Sequence, residues 1–390
     1  MAPKFPFLLL PLILFLPNLS LTFCLSTSSD GEKDFRKWIL QNMEIYRKET
    51  SFKTESFGVQ AAKARLEEKL KIAEASSITL SVGQDGGSDF RSIGEALNSI
   101  QLPNTRRVIL NIQPGIYREK IYVPRRMPFI TFSGNSSSSE LPTITGNDTA
   151  SLYGKDGKPL RTLQSATVAV DADYFIAINV KFENTAPHVV GTVGGQAVAL
   201  RISGTKAAFH NCSFYGSQDT LYDHKGFHYF NNCFIQGSVD FIFGYARSLY
   251  ENCTLHSVAK KGASLTAQKR TNISLESGFS FKDCKITGSS GGGGGGSVYL
   301  GRAWGEYSRV VYSYTYMENI IMPQGWNDWG KKAYDWKVYY GEYKCSGAGA
   351  NRTGRVPWAR LLTDEEALPF LGTYYVYGDA WLTPLASSAL

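Results

Sequence analysis

Two glutamines and two aspartates recur at nearly constant spacing along this chain. Gln196, Gln218 and Asp240 stand 22 residues apart, and Asp219 and Asp240 stand 21 apart. If the chain advances one level per interval, these side chains form a column of two amides and two carboxylates on one face. Carboxylates on levels about 5 Å apart cannot both ionise cheaply, so one keeps its proton. The pair then supplies a proton donor and a carboxylate nucleophile or base, with no metal. The bland reading is a ladder of turn residues, common in solenoids. The neighbours weigh against it: Ser217-Gln-Asp-Thr-Leu221 and Val239-Asp-Phe-Ile-Phe-Gly244 set each aspartate beside apolar residues that desolvate it. Farther on, Leu300-Gly-Arg-Ala-Trp304 joins a guanidinium to an indole. Arg302 could hold a carboxylate ionised and Trp304 could stack on a sugar ring, although such a pair is often mere surface packing.

Other chemistry finds little support. Gly288-Ser-Ser-Gly-Gly292 matches the serine-hydrolase pattern in letters only, since it lies in a Gly/Ser tract without a strand-to-helix context. The five histidines (His188, His210, His224, His228 and His256) show no paired spacing and no CxxC is present, so no metal or cofactor is implied. Phosphate-binding glycine loops are missing. A net charge of +7 favours an acidic partner, but there is no basic stripe of the kind nucleic acid requires.

The elements that must carry the column are legible in a repeat. Phe209-His-Asn-Cys212-Ser-Phe214, Phe230-Asn-Asn-Cys233-Phe-Ile235, Tyr250-Glu-Asn-Cys253-Thr-Leu255 and Phe281-Lys-Asp-Cys284-Lys-Ile286 share one pattern, with cysteines 21, 20 and 31 residues apart. A propeller blade needs about 40 residues or more, whereas about 20 suits one coil of a solenoid. The reading is all-β, a right-handed parallel β-helix. It sets Cys233 beside Cys253, and Cys212 beside Cys233 equally, so spacing leaves the connectivity open. Strands are expected over Ser77 to Val82, Arg107 to Ile112, Phe129 to Ser133, Thr167 to Val170, Phe175 to Phe182 and Ala197 to Ile202, with one helix over Phe90 to Ile100. Residues 31–75 read as a helical arm packed on the main domain, with Phe35, Trp38, Ile39, Ile45, Leu66, Leu70 and Ile72 as its apolar stripe.

The 390 residues, 43% hydrophobic and 19% charged, are those of a globular chain. Lys4 followed by the apolar run Phe5 to Leu16 reads as a cleaved secretory signal, because a spanning helix needs about 20 residues. The expected organisation is a signal over 1–25, the arm over 26–76 and a catalytic domain over 77–390. Glycosylation triplets at Asn135, Asn147, Asn211, Asn252, Asn272 and Asn351 agree with secretion. With Cys24 in or beside the signal, five cysteines remain, an odd number that leaves at least one thiol free or intermolecular.

At these residues the chain resembles the plant pectinesterase (pectin methylesterase) family. The likeness spans roughly Ile78 to Trp381 and includes Gly115-Ile-Tyr-Arg-Glu119, Gln196-Ala-Val-Ala-Leu200, Gln218-Asp-Thr-Leu221, Asp240-Phe-Ile-Phe-Gly244, Leu300-Gly-Arg-Ala-Trp304, Met317 to Trp326 and Tyr340 to Trp358. The resemblance implies a parallel β-helix enzyme of the cell wall, monomeric, acting on methylated homogalacturonan and open to proteinaceous inhibitors. Asp240 would be the nucleophile, Asp219 the acid/base, Gln218 and Gln196 the oxyanion donors, and Arg302 the group that orients Asp240. Thr162, Tyr222, Phe243, Trp304 and Trp326 would line the sugar cleft, together with Gln196 and Arg302, and Cys233–Cys253 would be a disulfide. Three features depart from the family pattern. Ala303 replaces a usual proline, which would loosen Arg302 and Trp304; Ser238 replaces a threonine; and no long inhibitor-like pro-region precedes the domain, as in the shorter class. Another β-helix pectin-degrading enzyme is the alternative, since a retaining glycosidase also wants two carboxyls about 5–5.5 Å apart. The glutamine pair argues for an ester, whose hydrolysis forms an oxyanion. An inactive pectin-binding wall protein is the other, and only Ala303 favours it.

Overall fold

The computed structural model describes residues 36–44, 47, 66–135, 138, 140–187, 193–289 and 296–383. The signal segment, most of 45–65, His188 and Gly291 to Gly295 lie outside the described residues. From Ile78 onward the chain winds through three parallel sheets of eleven, eight and eight strands, in which each strand pairs with its counterpart one coil away. One coil runs Leu221–Asp223, Phe227–Asn231 and Phe234–Gly237; the next runs Ile242–Gly244, Arg247–Glu251 and Thr254–Ser257. Leu221 faces Ile242, Phe230 faces Tyr250 and Ile235 faces Leu255. The fold is a right-handed parallel β-helix, as the repeat predicts.

The repeated aromatic sets this register. Phe209, Phe230, Tyr250, Phe281 and Tyr312 are fully buried and stack face to face, with centroids 4.7, 4.5, 4.6 and 4.6 Å apart. That distance is the strand spacing itself, so aromatic contact and backbone hydrogen bonding are satisfied together. The residue before each cysteine turns the corner: Asn211, Asn232, Asn252 and Asp283 have φ of +52° to +55°, a left-handed conformation that Asn and Asp tolerate best. Their amides form part of a ladder, with Asn211 Nδ2 donating to Asn179 Oδ1 at 2.6 Å and Asn232 Nδ2 to Asn211 Oδ1 at 3.2 Å. A turn ladder therefore exists, at a corner away from the two aspartates.

Several boundaries move for local reasons. The expected strand Phe175 to Phe182 is two strands, Ile176–Ile178 and Lys181–Asn184, because Asn179 turns the chain at φ +56°. Phe129 is likewise left-handed, and its strand starts at Ile130. The strand within Ala197 to Ile202 is limited to Leu200–Ile202. The helix expected from Phe90 is Ile93–Asn98: Ser92 caps it, and the Phe90 carbonyl accepts from Gly83 N–H in a bridge to the first strand.

The cysteines form a column as expected, but Cys233 and Cys253 are free thiols rather than the disulfide implied by the family likeness. The thiols all lean one way, Cys233 toward the Phe209 carbonyl and Cys253 toward that of Phe230.

A second apolar layer covers the outer face of the eleven-stranded sheet. Trp38, Ile39 and Met43, from a helix over 36–44, and Leu70 and Ala73, from the helix Glu68–Ala75, pack against Tyr174, Tyr229, Leu249 and Val311. Ile72, counted in the arm's stripe, is 60% exposed instead. The C-terminal segment completes the layer with Phe370, Tyr375 and Trp381. Among the described residues, no such layer covers the eight-stranded sheet that carries Tyr222 and Phe243.

Truncating the aromatic column tests its contribution. Phe230→Ala is expected to cost about 3–5 kcal/mol in denaturant unfolding, against less than about 0.5 kcal/mol for the exposed Tyr316→Ala. Equal small losses would show that the stack contributes little.

Candidate active site

The uncovered sheet presents one residue per coil outward: Arg201, Tyr222, Phe243, Ala267, Arg302 and Asn327 follow one another in register. Its inward residues, Leu200, Leu221, Ile242 and Leu300 among them, belong to the main core. Tyr222 and Phe243 stack at 4.3 Å, and Trp304 leans on Phe243 at 6.1 Å, which makes an apolar strip along the sheet. Tyr222 is seated firmly because the next residue, Asp223, is wholly buried, bonding His228 Nδ1 at 2.5 Å and accepting from Tyr250 Oη at 2.7 Å.

Asp219 and Asp240 occupy the turns two residues before the strands Leu221–Asp223 and Ile242–Gly244. Both are left-handed, with φ of +64° and +49°. The strand register advances 21 residues here, so these two are the in-register pair. The glutamines, 22 apart, are offset by one residue from that column. Gln218 precedes Asp219 directly, and Gln196 is tied one coil back, where Ala197 N–H donates to the Gln218 carbonyl at 3.1 Å. Both amides are half-buried. Ser238 donates its N–H to the Ser217 carbonyl and bonds the Ser217 hydroxyl at 2.9 Å, so its missing methyl leaves the turn's polar bonds intact.

The two carboxyls differ in their partners. Arg302 Nε donates to Asp240 Oδ1 at 2.8 Å and Oδ2 at 3.1 Å, and Nη2 also contacts Oδ2. Asp240 is 5% and Asp219 8% exposed. Burial and the charge of Asp240 push Asp219 well above the usual carboxylate range, with Arg302 only partly opposing. Burial also raises Asp240, but there the Arg302 pair pulls directly against it. Both carboxyls are raised, and the Arg302 pair favours the proton on Asp219 over Asp240.

Arg302 has a second restraint that the sequence did not reveal. Its guanidinium lies 3.7 Å from the centre of the Trp329 ring. Trp329 has φ +56°, and its N–H donates to Asn327 Oδ1 at 2.7 Å. Asn327 is the register partner of Arg302, so the turn that presents the indole is hung on the same rung. Lys269 similarly sits 4.1 Å over Trp304. These contacts hold Arg302 and Trp304 where Ala303 led us to expect looseness. Trp326 is 1% exposed and stacks on Tyr340 at 4.4 Å in the core. It also lines a cavity of about 320 Å³ at that end of the sheet. Thr162 lies in the short helix Arg161–Gln164 at the other end, half-buried, beside a cavity of about 410 Å³ lined by Leu160, Leu163 and Arg201. Ala150 links that helix to Gln196 by accepting from Arg161 N–H and donating to the Gln196 carbonyl, both at 2.8 Å.

The raised carboxyl has a consequence for stability. A folded-state pKa above the unfolded value contributes stability that is full below the unfolded pKa and is lost as pH rises through the folded one. Asp219→Asn, which mimics the protonated acid, is expected to raise Tm above wild type at neutral and alkaline pH and to leave it unchanged near about pH 3. Scanning calorimetry at both pH values reads this; an equal shift at both would mean that the fold does not hold the proton.

Known proteins resemble this chain in sequence and in fold. A family model described as Pectinesterase matches residues 79–379. Pectinesterase QRT1 of Arabidopsis thaliana is 48% identical over 301 residues, covering 77% of this chain and 78% of that protein. The solved pectin methylesterase from carrot superposes with a TM-score of 0.69 at 34% identity, covering 79% of this chain and 97% of the other. A pectin methylesterase solved in complex with a hexasaccharide gives a TM-score of 0.68 at 25% identity, covering 79% and 98%. This chain belongs to the pectinesterase family and is a carboxylic-ester hydrolase.

Proposed function

We propose that the chain is a secreted enzyme that removes methyl esters from homogalacturonan in a cell wall, with Asp240 as nucleophile and Asp219 as acid and base. The observation that carries this reading is the bidentate Arg302–Asp240 pair beside a buried second carboxyl. Asp240 starts as the carboxylate, and an Oδ attacks the ester carbonyl carbon. The carbonyl electrons move onto oxygen, where the amides of Gln218 and Gln196 donate hydrogen bonds to the oxyanion. The oxyanion collapses, the bond to methoxide breaks, and the Asp219 proton passes to it as methanol departs. An acyl-enzyme anhydride on Asp240 remains. Asp219, now a carboxylate, takes a proton from water as the water oxygen attacks the acyl carbon. Collapse frees Asp240 and leaves a galacturonate carboxylic acid that ionises in water. Asp219 again carries its proton, as its raised pKa requires.

Sugar rings would lie along Tyr222, Phe243 and Trp304, with Trp329 holding Arg302 from the side and Thr162 at the far end. The complex of the related methylesterase with a hexasaccharide supports a polymeric substrate, and a net charge of +7 suits a polymer that gains negative charge as it is de-esterified.

Incubation with highly methylated pectin is expected to release methanol while polymer length stays constant. Asp240→Asn should lower turnover by about 10⁴-fold or more while binding persists. Shortened chains would instead mean a depolymerase, and the oxyanion role of Gln196 and Gln218 would then be wrong.

A further inference from the structure

The strands that begin beside the two aspartates end in a second line of polar side chains. His224 stands five residues beyond Asp219, and Tyr245 five beyond Asp240. Ser203, His224 and Tyr245 follow one another along this line: His224 N–H donates to the Ile202 carbonyl at 3.0 Å, and Tyr245 N–H to the His224 carbonyl at 3.1 Å. The half-buried His224 ring lies 4.8 Å from the Tyr222 ring and 5.0 Å from that of Tyr245.

A chain of hydrogen bonds fixes where this imidazole carries its proton. Asp171 accepts from Tyr122 Oη at 2.9 Å and from Arg201 Nη1 at 2.7 Å. Arg201 Nη1 also donates to Ser203 Oγ at 2.5 Å. A guanidinium has no lone pair, so Ser203 accepts there, and its own hydrogen is left for His224 Nδ1 at 2.8 Å. Burial and the charges of Arg201 and Lys225 push the ring's pKa down to about 4, with Asp171 opposing, so the ring is neutral at pH 7. Nδ1 is then the acceptor and the proton sits on Nε2, which has no partner among the described residues.

A sugar ring lying on Tyr222 and Phe243 with its methyl ester toward Asp240 turns its opposite edge toward His224. In galacturonate that edge carries ring hydroxyls, whose oxygens accept hydrogen bonds. We propose that His224 is a substrate-binding residue whose Nε2–H donates to a ring hydroxyl on the edge of the sugar opposite the ester. The proposal rests on the catalytic reading above. Asp171, Arg201 and Ser203 act through the ring, as positioning residues that hold its tautomer. The cleft then prefers galacturonate with unmodified hydroxyls, because an acyl group at that oxygen adds bulk against His224 and Tyr245.

The test titrates a fully methylated galacturonate oligomer into the full chain by calorimetry, in an Asp240→Asn background that prevents turnover, with and without His224→Phe or His224→Gln. Phenylalanine keeps a ring and loses the donor, whereas glutamine restores an N–H. Expected is a loss of about tenfold in affinity for His224→Phe, mostly recovered in His224→Gln. With Asp240 intact, the same loss should appear in KM rather than kcat. Ring-nitrogen NMR of wild type at neutral pH should show His224 protonated on Nε2 and bare on Nδ1. In Asp240→Asn the Nε2 signal should move on adding the methylated oligomer, and not on adding one acetylated at its ring hydroxyls. A proton on Nδ1, an Nε2 signal that ignores the bound oligomer, unchanged affinity in His224→Phe or a loss confined to kcat would overturn the proposal. If wild type releases no methanol from methylated pectin, the catalytic reading fails separately, and the titration and NMR still decide whether His224 binds the sugar.

Discussion

Each coil must stack on the last at the spacing set by backbone hydrogen bonds between parallel strands, and every other feature follows from that constraint. It brings like side chains together whatever their chemistry. Where the repeated residue is aromatic, the rings meet at 4.5–4.7 Å and the core is filled. Where it is asparagine in a left-handed turn, the amides bond one another. Where it is aspartate, two carboxyls are pressed together in a buried place. The first two arrangements stabilise the fold. The third strains it electrostatically and supplies a proton donor next to a carboxylate.

Arg302 makes that strained pair unequal. It comes from two coils beyond Asp240 along the uncovered sheet, so its long side chain reaches back to one carboxyl and grips it with two nitrogens. The neighbouring Asp219, without such a partner, is pushed well above the usual carboxylate range by burial and by the charge of Asp240. Holding the guanidinium in plane is therefore central to the site. Trp329 stacks on it from a turn anchored to the adjacent strand, so the rigidity does not depend on the residue at 303.

Coverage of the solenoid decides which face is available. The arm and the C-terminal segment close the outer side of the eleven-stranded sheet with Trp38, Leu70, Phe370 and Trp381, and the aromatic strip is left on a sheet without that layer. The arm reaches further than a cover: Trp38 stacks under the Arg309 guanidinium at 4.0 Å, and Lys37 stands in the wall of a cavity of about 380 Å³.

The repeat was legible because a solenoid writes its geometry into sequence: an aromatic, a turn residue and a cysteine return whenever the chain does. The same ruler picked out Asp219, Asp240, Gln196 and Gln218, whereas Arg302 drew attention only as a guanidinium close to Trp304. Its resolution was one residue, too coarse to show that the glutamines sit beside the carboxylate column rather than in it. Left-handed turns at Asn179 and Phe129 were invisible for a similar reason, since a strand-like composition continues through them. Trp326 and Trp329 are both tryptophans in one short stretch, and only the pairing of Asn327 with Arg302 decided that the first turns into the core and the second onto the guanidinium. The cysteine column followed from spacing, but spacing could not say whether its members bond, and they are free thiols here. Composition and period determined the coil and the order of its chemistry, because those depend on contacts repeated at every level. Tertiary structure decided the direction of single side chains, the cover on each face and the charge of each carboxyl, because those depend on neighbours that occur once.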